Sequence, residues 1–598
     1  MPGETSTQEM SNLTEDTVSL IQHDGEERTQ SINNGCNTGR KRNRAREIRM
    51  IIVACFVFGI AITTALIVDI YTGSHHTGHA AVVSDVKECA DVGLELIKAG
   101  GSAVDAAIGT MLCVGVMNPE SSGLGGGGFM LTVVPQKDEE VAEVIDFREV
   151  APLGASKDMF HGNESLASWG GLSVAVPGEI RGFEIAHKKY GKLKWSEVIE
   201  PAIKLAKEGF RVTAHTGKVL KHFRKDAIGT RLGKMIAPDG VNFLKEGQKM
   251  SNPALAETLQ QIADKGADVL YNGPIADGIV AAVKSANGIL TNEDLTNYKP
   301  ISRNAINATY EGYQVITTPL PSGGPVLVSM LNILEGFNFT NKVQGKSLTY
   351  HYIIEAMKFA FAQRSLLEDS NDLANITEQM LSKEHAKTLR DKISPNKTFK
   401  PPHYGPFLVK RRHMALRMSP LLDLMANSLA SQENGIILNN EMADFSIPGV
   451  TKIDGAGPPK ANFIAPGKRP LSSCVPTVVL HKEKRCWFRM SLGASGGDHI
   501  PQAVAQVLVN YLAFNDSLSQ SIEKPRVYYG ISTGISEIEA DRFQDNKMAS
   551  SIVKALRDKG HNITEHAGLA DANGLSYFQD QVTAHGDSRR GGQGSAQF

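Results

Sequence analysis

The chain has 598 residues, of which 41% are hydrophobic, and its formal net charge at pH 7 is −1. This length exceeds what one ordinary domain core supports, and the near-neutral charge gives no electrostatic reason to expect a nucleic acid or an acidic partner. The six cysteines include no CxxC pair, so their spacing does not suggest a zinc site.

The N-terminal region predicts a membrane anchor. Residues 50–68, MIIVACFVFGIAITTALIV, contain no charge, and a helix of this length spans roughly 28 Å, close to the hydrocarbon core of a bilayer. The basic run RKRNRAREIR precedes it and favours a cytosolic N-terminus. A cleaved signal peptide is disfavoured because the apolar run is long and lies far from the start of the chain. We therefore predict a single-pass type II plasma membrane protein with a cytosolic disordered tail (1–49), an anchor (50–68), a stem (69–79) and an extracellular remainder.

Glycosylation sequons agree with this orientation. They lie after the predicted anchor at Asn163, Asn307, Asn338, Asn375, Asn396, Asn515 and Asn562. A further sequon at Asn12 falls on the cytosolic side, where we expect it to stay unmodified.

Two helices are predicted to open the extracellular part, over residues 85–99 and 103–116. Gly100 and Gly101 end the first helix, and Ser102 with Asp105 forms a capping box for the second. Cys89 and Cys113 would lie on these adjacent antiparallel helices, an arrangement that permits a disulfide.

The glycine-rich stretch SSGLGGGGFMLTVV contains a G-x-G-x-x-G pattern at Gly123, Gly125 and Gly128, and Asp146 follows. A dinucleotide-binding site needs a strand before this pattern and a helix after it. Here a helical pattern precedes and a strand pattern follows. We therefore interpret the glycines as a turn where backbones pack closely, and not as a site for NAD or FAD.

A second pattern, Gly493-Ala-Ser495-Gly-Gly497, matches the nucleophile elbow of serine hydrolases, and candidate partners follow it. These partners are Asp541, His561, His566 and His585. However, the strand patterns PTVVLHKE and CWFRMSLG are close enough to form an antiparallel hairpin, whereas an elbow lies on a parallel strand. The alternative function of Gly496 and Gly497 is to present backbone N–H groups to a developing oxyanion.

An ordered set of motifs now indicates a family. The chain from about residue 80 to its C-terminus resembles the γ-glutamyltransferases (glutathione hydrolases). The motifs that carry the resemblance are PESSGLGGGGFML, VIDFREVAP, GGLSVAVPGEIRG, GIILNNEMADFS, ANFIAPGKRPLSS, GASGG and DSRRGG. The resemblance implies an α/β (α+β) N-terminal nucleophile hydrolase fold, a four-layer αββα sandwich. It also implies self-cleavage into a heterodimer of a large-subunit-like region (80–410) and a small-subunit-like region (411–598).

The resemblance further implies the chemistry. An N-terminal Thr attacks the γ-glutamyl amide of glutathione or another γ-glutamyl compound, with its own α-amine as base. The glutamyl-enzyme then transfers its acyl group to water, an amino acid or a dipeptide, and the reaction uses no metal or organic cofactor.

Several residues match the family's donor-binding positions. Arg148 matches an arginine that clamps the α-carboxylate, a task that suits guanidinium geometry. Glu441 and Asp444 match the acids that hold the α-amine. Ser472 and Ser473 match hydroxyls that bind the α-carboxylate. Gly496 and Gly497 match the oxyanion pair, and Cys89 with Cys113 matches a family disulfide. The pairing of Cys474 and Cys486 stays open.

Each of these positions also has a simpler interpretation. Arg148 alone could form an ion pair with Glu149. Glu441 and Asp444 alone could be solvated or capping residues, and the two serines alone could form a turn.

The match fails at the nucleophile. In the family's Thr-x-His motif, His413 takes the place of the histidine, and Arg411 stands where the threonine is expected. Arginine has no nucleophilic oxygen and stays protonated in proteins. Thr398 lies too far upstream to replace it.

Three explanations are weighed for residues 407–430: a misread frame, a true but catalytically silent isoform, or a shifted alignment. The corresponding functions are an active γ-glutamyltransferase or a silent member that binds a γ-glutamyl ligand or a protein. A serine hydrolase using Ser495 is the weaker alternative.

Overall fold

The computed structural model describes residues 38–72, 79–136, 139–340, 344–369, 374–405, 434–449, 458–482, 487–531, 533–589, 591 and 594–598. The chain divides into two compact units, Met1–His75 and His76–Phe598, which are described separately. Most of the predicted tail, the predicted boundary at 410/411, Arg411, His413 and Cys486 lie outside the described residues.

The first unit contains one long helix, α1 (Thr38–Thr72), which includes the predicted anchor. Its large apolar side chains between Met50 and Ile62 are exposed. Among the described residues, however, no helix is both long and apolar enough to cross a membrane. The anchor at residues 50–68 therefore stays a prediction.

The second unit mixes helices and strands. Its α-helices in the described residues are α2 (Lys87–Lys98), α3 (Ala103–Met117), α4 (Glu164–Ser168), α5 (Glu179–Tyr190), α6 (Trp195–Glu208), α7 (Ala214–Lys221), α8 (Arg231–Ile236), α9 (Pro253–Lys265), α10 (Asp268–Tyr271), α11 (Pro274–Ser285), α12 (Asn292–Asn297), α13 (Gly324–Glu335), α14 (Ser347–Arg364), α15 (Ala374–Leu381), α16 (Lys383–Arg390), α17 (Ile500–Leu508), α18 (Leu518–Glu523) and α19 (Asn546–Asp558).

Its strands are β1 (Ala81–Val83), β2 (Phe129–Gln136), β3 (Glu139–Asp146), β4 (Phe210–Arg211), β5 (Lys249–Met250), β6 (Ile301–Asn304), β7 (Ile306–Tyr310), β8 (Tyr313–Thr317), β9 (Thr477–His481), β10 (Phe488–Ser495), β11 (Val527–Gly530), β12 (Ile535–Ile538), β13 (Ile563–Glu565), β14 (Asp571–Phe578), β15 (Gln581–His585) and β16 (Ser595–Gln597). The largest sheet has the order β15-β14-β10-β9-β8-β7, and smaller sheets are β2-β3-β6, β11-β12-β13, β1-β16 and β4-β5.

Two hydrophobic cores support the two sheets that carry the site. Ile145 and Phe147, in and after β3, share a core with Ile108 of α3, Phe183 of α5 and Val198 of α6. The six-stranded sheet has its own core, in which Val479 of β9 and Met490 of β10 pack with residues of α13, α14 and α17. Each of these sheets is therefore covered by helices, while the complete four-layer sandwich stays a prediction.

The predicted N-terminal helix pair is confirmed. The Ser102 side chain accepts a hydrogen bond from Asp105 N at 3.1 Å, and Ser102 N donates to Asp105 Oδ2 at 2.7 Å, as a capping box requires. Cys89 and Cys113 form a disulfide that joins α2 to α3, with a Cα–Cα distance of 5.3 Å.

The interpretation of the glycine-rich stretch as a close backbone contact is also supported. Helix α3 precedes it and strand β2 follows it, the reverse of the order in a dinucleotide-binding site. A Cβ atom on Gly125 would lie 1.9 Å from the carbonyl oxygen of Ile437. Gly125 also forms a parallel bridge with Leu438. Glycine is therefore needed here because another segment of backbone occupies the space of a side chain.

The predicted hairpin of β9 and β10 is antiparallel, with Leu492 opposite Thr477. Strand β14 pairs antiparallel with the other edge of β10, so that Ser495 lies opposite Asp571. The GASGG motif therefore lies at the end of a central strand, β10, whose two neighbours β9 and β14 both run in the opposite direction.

Candidate active site

A cavity of about 960 Å³ brings the family-matched positions together. It lies where the end of β10 and the segments that follow β3 and precede β9 meet. The matched residues that line it are Arg148, Glu441, Asp444, Ser472, Ser473, Gly496 and Gly497. Residues separated by more than three hundred positions in the sequence therefore share one site.

Arg148 lies just after β3 and is 5% exposed. Its Nη1 donates to Glu441, its Nη2 donates to Asp444, and Glu149 Oε2 lies 3.5 Å from Nη1. Arg148 N donates to Asp146 Oδ1 at 2.9 Å. The expected ion pair with Glu149 is thus present, but the two downstream acids are closer partners.

Burial alone would lower the pKa of Arg148, but the carboxylates of Glu441, Asp444 and Glu149 raise it well above its ordinary value. Burial raises the pKa of Glu149, although the charge of Arg148 opposes that rise. The guanidinium therefore stays charged, and the cavity wall presents a fixed cation beside two partly accessible acids.

A short 3-10 turn, Glu441–Asp444, carries these two acids. The buried amide of Asn439 holds the turn in place. It donates to Gly125 O at 2.7 Å and to Ala175 O at 2.9 Å, and it accepts from Glu441 N at 3.0 Å. Met442 and Phe445 pack into a small separate core and anchor the turn. Glu441 and Asp444 line the cavity.

The two serines follow in the chain just before β9. The Oγ of Ser472 accepts from Cys474 N at 3.1 Å, the local turn contact that these residue types often make. Ser473 donates to Asp498 Oδ1 at 3.0 Å and accepts from Arg364 Nη2 at 3.1 Å. The two serines therefore form a turn, the simpler interpretation, and they also line the cavity, as the family match requires.

Gly496 and Gly497 form the turn after β10, with φ of +134° and +60°. A Cβ atom on Gly496 would lie 2.8 Å from the Cβ of Ala570. Both the backbone conformation and the close neighbour favour glycine at this turn.

The model of the gamma-glutamyltranspeptidase family matches residues 89–415 and 425–597, most of the chain. The chain belongs to the gamma-glutamyltranspeptidase family. Residues 416–424, which the family model does not match, lie inside the segment where the sequence departs from the Thr-x-His pattern.

Similar proteins agree with membership of this family. The glutathione hydrolase proenzyme 1 of Schizosaccharomyces pombe is 38% identical over 506 residues, which cover 81% of this chain and 78% of that protein. Scoloptoxin SSD14 of Scolopendra dehaani is 37% identical over 538 residues, 86% of this chain and 91% of that protein.

Solved structures agree on the fold. The gamma-glutamyltranspeptidase of Helicobacter pylori superposes with a TM-score of 0.51 at 33% identity, covering 54% of this chain and 94% of that chain. The cephalosporin acylase of Bacillus halodurans superposes with a TM-score of 0.71 at 24% identity, covering 87% of this chain and 95% of that chain, and shows the fold alone. The mixed helix and sheet arrangement is therefore that of the N-terminal nucleophile hydrolases.

The family's nucleophile position falls outside the described residues, together with Arg411 and His413. The absence of a threonine at position 411 is therefore a fact of the sequence alone.

The serine hydrolase alternative loses its structural support. Ser495 ends a strand with antiparallel neighbours on both edges, whereas a nucleophile elbow lies on a parallel sheet. His561 Nε2 lies 2.7 Å from His351 Nδ1, and His585 Nε2 lies 2.9 Å from Glu523 Oε1. His566 Nε2 lies 3.2 Å from Thr564 Oγ1, so all three candidate histidines have other partners.

Three buried acids of the cavity were missed by the sequence interpretation. Glu120, Glu149 and Glu179 all lie within the motifs quoted above, but the sequence interpretation assigned them no role beyond an ion pair of Glu149 with Arg148. Burial and the charge of Glu149 raise the pKa of Glu179 to about 8, and burial raises the pKa of Glu120 to about 7. Burial and, for Glu179, a neighbouring like charge distinguish these acids, and neither is visible in sequence spacing.

One group of described residues has the composition of a metal site. His351, Glu355 and His561 are buried, and their ligand atoms lie within 4.8 Å of one another. The sequence interpretation did not find this group, although His351 and Glu355 are four residues apart on α14.

A lysine occupies the centre of that group. Lys358 Nζ donates to Glu355 Oε1 at 2.9 Å and to His561 Nδ1 at 3.3 Å, while His351 Nε2 lies 2.7 Å from Ser394 O. A carbonyl only accepts, so His351 Nε2 carries a proton and its Nδ1 accepts from His561. The contacts form a satisfied hydrogen-bond chain, and an ammonium group among the ligand atoms disfavours a divalent cation.

Proposed function

We propose that this chain binds the γ-glutamyl end of glutathione and related γ-glutamyl amides in the cavity beside Arg148, for extracellular hydrolysis or transfer of the glutamyl group. The observation that carries the proposal is the charge pattern of the wall. A buried arginine lies between two acids, in the same cavity as the Gly496–Gly497 turn.

This pattern complements the end of a γ-glutamyl donor, which has one carboxylate and one ammonium on the same carbon. When such a ligand enters, its carboxylate can replace Glu441 and Asp444 as the partner of Arg148, and its ammonium can take up the two released acids. Every charge then keeps an opposite partner, so desolvation is compensated on both sides.

The glutamyl side chain would extend from Arg148 towards the turn after β10. There the backbone N–H groups of Gly496 and Gly497 would stabilise the oxyanion that forms when a nucleophile attacks the γ-carbonyl. The attack makes a bond from the nucleophile to that carbon, and collapse of the intermediate expels the amine with a proton. Water or an amino acid or dipeptide then accepts the acyl group.

Turnover depends on the nucleophile. With a Thr at the position of Arg411, the chain would cleave itself into a large and a small subunit and transfer glutamyl groups. The name of the Schizosaccharomyces pombe relative, a proenzyme, supports processing in this family. The alternative, with Arg411 as written, is binding of a γ-glutamyl ligand or a protein without turnover.

Two measurements test the proposal. Isothermal titration calorimetry should show that L-glutamate binds the wild-type chain. Arg148→Gln should weaken this binding by about 100-fold, while substitution of an exposed arginine far from the motifs, Arg211→Gln, should leave it unchanged. Failure of L-glutamate to bind would overturn the proposed site. Denaturing electrophoresis and release of a chromogenic amine from a γ-glutamyl anilide then separate the functions: two bands with activity indicate the enzyme, and one band without activity the silent binder.

The proposed setting is the outer face of the plasma membrane, anchored through residues 50–68. It is supported by the basic run before that segment and by the sequons, all seven of which have exposed asparagines. Treatment of the expressed protein with a peptide N-glycosidase should increase its electrophoretic mobility. A chain without attached glycans would contradict this setting.

A further inference from the structure

The described residues that line the cavity include two arginines, Arg148 and Arg364. They differ in how far their charges are already satisfied. Arg148 contacts the carboxylates of Glu441, Asp444 and Glu149 and the carbonyl oxygens of Pro470 and Leu471.

Arg364, the last residue of α14, contacts fewer polar groups of the described residues than Arg148 does. Its Nη2 donates to Ser473 Oγ at 3.1 Å, and its Nη1 lies 3.6 Å from Asp498 Oδ1, beyond the length of a good hydrogen bond. Its side chain is 20% exposed. A planar guanidinium with remaining donor capacity at a cavity wall is suited to a carboxylate.

The position of Arg364 indicates which carboxylate. Ser473 belongs to the proposed donor-binding wall, and Asp498 follows directly after Gly497 of the proposed oxyanion turn. Arg364 contacts both and therefore lies between the two walls. Because the proposed function assigns the glutamyl carboxylate to Arg148, the ligand carboxylate left for Arg364 is that of the peptide released from the donor, or of the peptide that accepts the glutamyl group.

Glutathione has two carboxylates, one on its glutamyl end and one on its glycine, and dipeptide acceptors also end in a carboxylate. We propose that Arg364, placed by Ser473 and Asp498, forms a second carboxylate subsite that recognises the C-terminal carboxylate of the peptide side of the ligand. This inference rests on the proposed function of the cavity, because Arg148 must hold the glutamyl end for the peptide end to reach Arg364.

Substitution of Asp498, the acid nearest to Arg364 Nη1, also tests the proposed subsite. Its carboxylate competes with an incoming carboxylate for Arg364, but the separation of 3.6 Å and the exposure of Asp498 make that competition weak. A ligand carboxylate that makes direct hydrogen bonds to the guanidinium should therefore displace Asp498 at low cost. Asp498→Asn should strengthen binding of a peptide carboxylate by a few fold.

The experiment compares two ligands that differ only at this group: glutathione and glutathione amidated at its glycine carboxylate. Their affinities, with that of L-glutamate, are measured by calorimetry on the full chain. Should the preparation turn the ligands over, the ratio of kcat/KM replaces the ratio of Kd. A charge-assisted hydrogen bond at a partly exposed site corresponds to about a tenfold preference of the wild-type chain for glutathione over the amide.

We expect Arg364→Gln to reduce that preference to about one, while the affinity for L-glutamate changes by less than about twofold. Arg364→Lys keeps the positive charge but loses the planar, bidentate guanidinium, so it should retain part of the preference for glutathione over its amide. Arg148→Gln should weaken both peptides equally, and the control Arg211→Gln should change nothing.

Two results would overturn the inference while leaving the proposed function intact. One is an unchanged preference in Arg364→Gln. The other is an equal loss for L-glutamate and glutathione in Arg364→Gln, which would mean that Arg364 acts only by positioning Ser473. If neither L-glutamate nor glutathione bound the wild-type chain, the proposed function and this inference would both fail.

Discussion

The cavity cation Arg148 and the buried cation Lys358 both lie among carboxylates and polar groups, but their partners differ in access to solvent. Around Arg148, the side chain of Asp444 is 44% exposed and that of Glu441 is 16% exposed. Around Lys358, Glu355 and His561 are fully buried, and Thr398 and Tyr404 complete the group.

Under the proposed function, this difference separates a binding site from a structural one. A ligand can replace the accessible partners of Arg148, because each released acid finds the ligand's ammonium. Glu355 and His561 have no exposed side-chain surface to offer a ligand. The group instead ties the segment around Thr398 and Tyr404 to α14 and to His561. The same residue types therefore serve affinity in one region and stability in the other.

The largest expected effect is in the closed group. Glu355→Gln should lower the free energy of unfolding by about 3 kcal/mol or more, because Lys358 would lose its acidic partner in a buried setting, where both keeping the charge and releasing the proton cost free energy. Urea denaturation measures the loss, and Glu200→Gln on the exposed face of α6 is the control. L-glutamate affinity should stay unchanged in the folded variant, and a large loss of affinity would contradict the separation of the two regions.

Next in size is the open site. Arg148→Gln should weaken L-glutamate binding by about 100-fold, the effect of losing two charge-assisted hydrogen bonds to the ligand carboxylate. Calorimetry measures it. Arg148→Lys keeps the charge but not the bidentate geometry, so its affinity for L-glutamate should lie between those of Arg148→Gln and the wild type. Equal affinities for all three proteins would show that the ligand binds elsewhere.

The third prediction concerns pH. Burial, with the charge of Lys358, lowers the pKa of His561 from 6.5 to about 2. Between these values the unfolded chain binds a proton that the folded chain does not. The contribution of His561 to the free energy of unfolding should therefore fall as the pH drops below about 6.5, by up to about 1.4 kcal/mol per pH unit.

His561→Gln should remove this dependence, and His161→Gln, at an exposed position, should retain it. Urea denaturation of the three proteins between pH 7 and pH 5 supplies the comparison. If His561→Gln and the wild type showed parallel pH dependence, His561 would not be buried in its neutral form.

The smallest predicted effect lies within the open site. Asp444→Asn should weaken L-glutamate binding by about threefold and Glu441→Gln by about tenfold, because the more exposed acid is better screened by solvent. Their affinities relative to the wild-type chain, measured in one titration series, test the order. The reverse order would mean that the ligand ammonium lies nearer to Asp444.

Much of the candidate site was predictable because its residues lie in short motifs that match a family. Arg148, Glu441, Asp444, Ser472, Ser473 and the two glycines were each named from such motifs, and the structure places them around one cavity. The helix pair with its capping box, the disulfide and the β9–β10 hairpin were predictable for a different reason, since their interactions are local and leave a spacing in the sequence.

Other features had no such local signal. Arg364 and Asp498 are far apart in sequence, and only the packing of α14 against the segments around β9 and β10 brings them to one wall. The group of His351, Glu355, Lys358 and His561 likewise combines a helix with a distant loop. Glu179 looks like any acid at a helix N-terminus until burial next to Glu149 raises its pKa.

The sequence by itself determined the family, the residue types available for a γ-glutamyl ligand and the presence of Arg411 where a threonine is expected. These depend on chemical identity and local order along the chain. Only the tertiary structure decided which charges face open space and which are enclosed, because solvent access and long-range contacts follow from packing. That distinction makes Arg148 and Arg364 candidates for ligand carboxylates and Lys358 a part of the core.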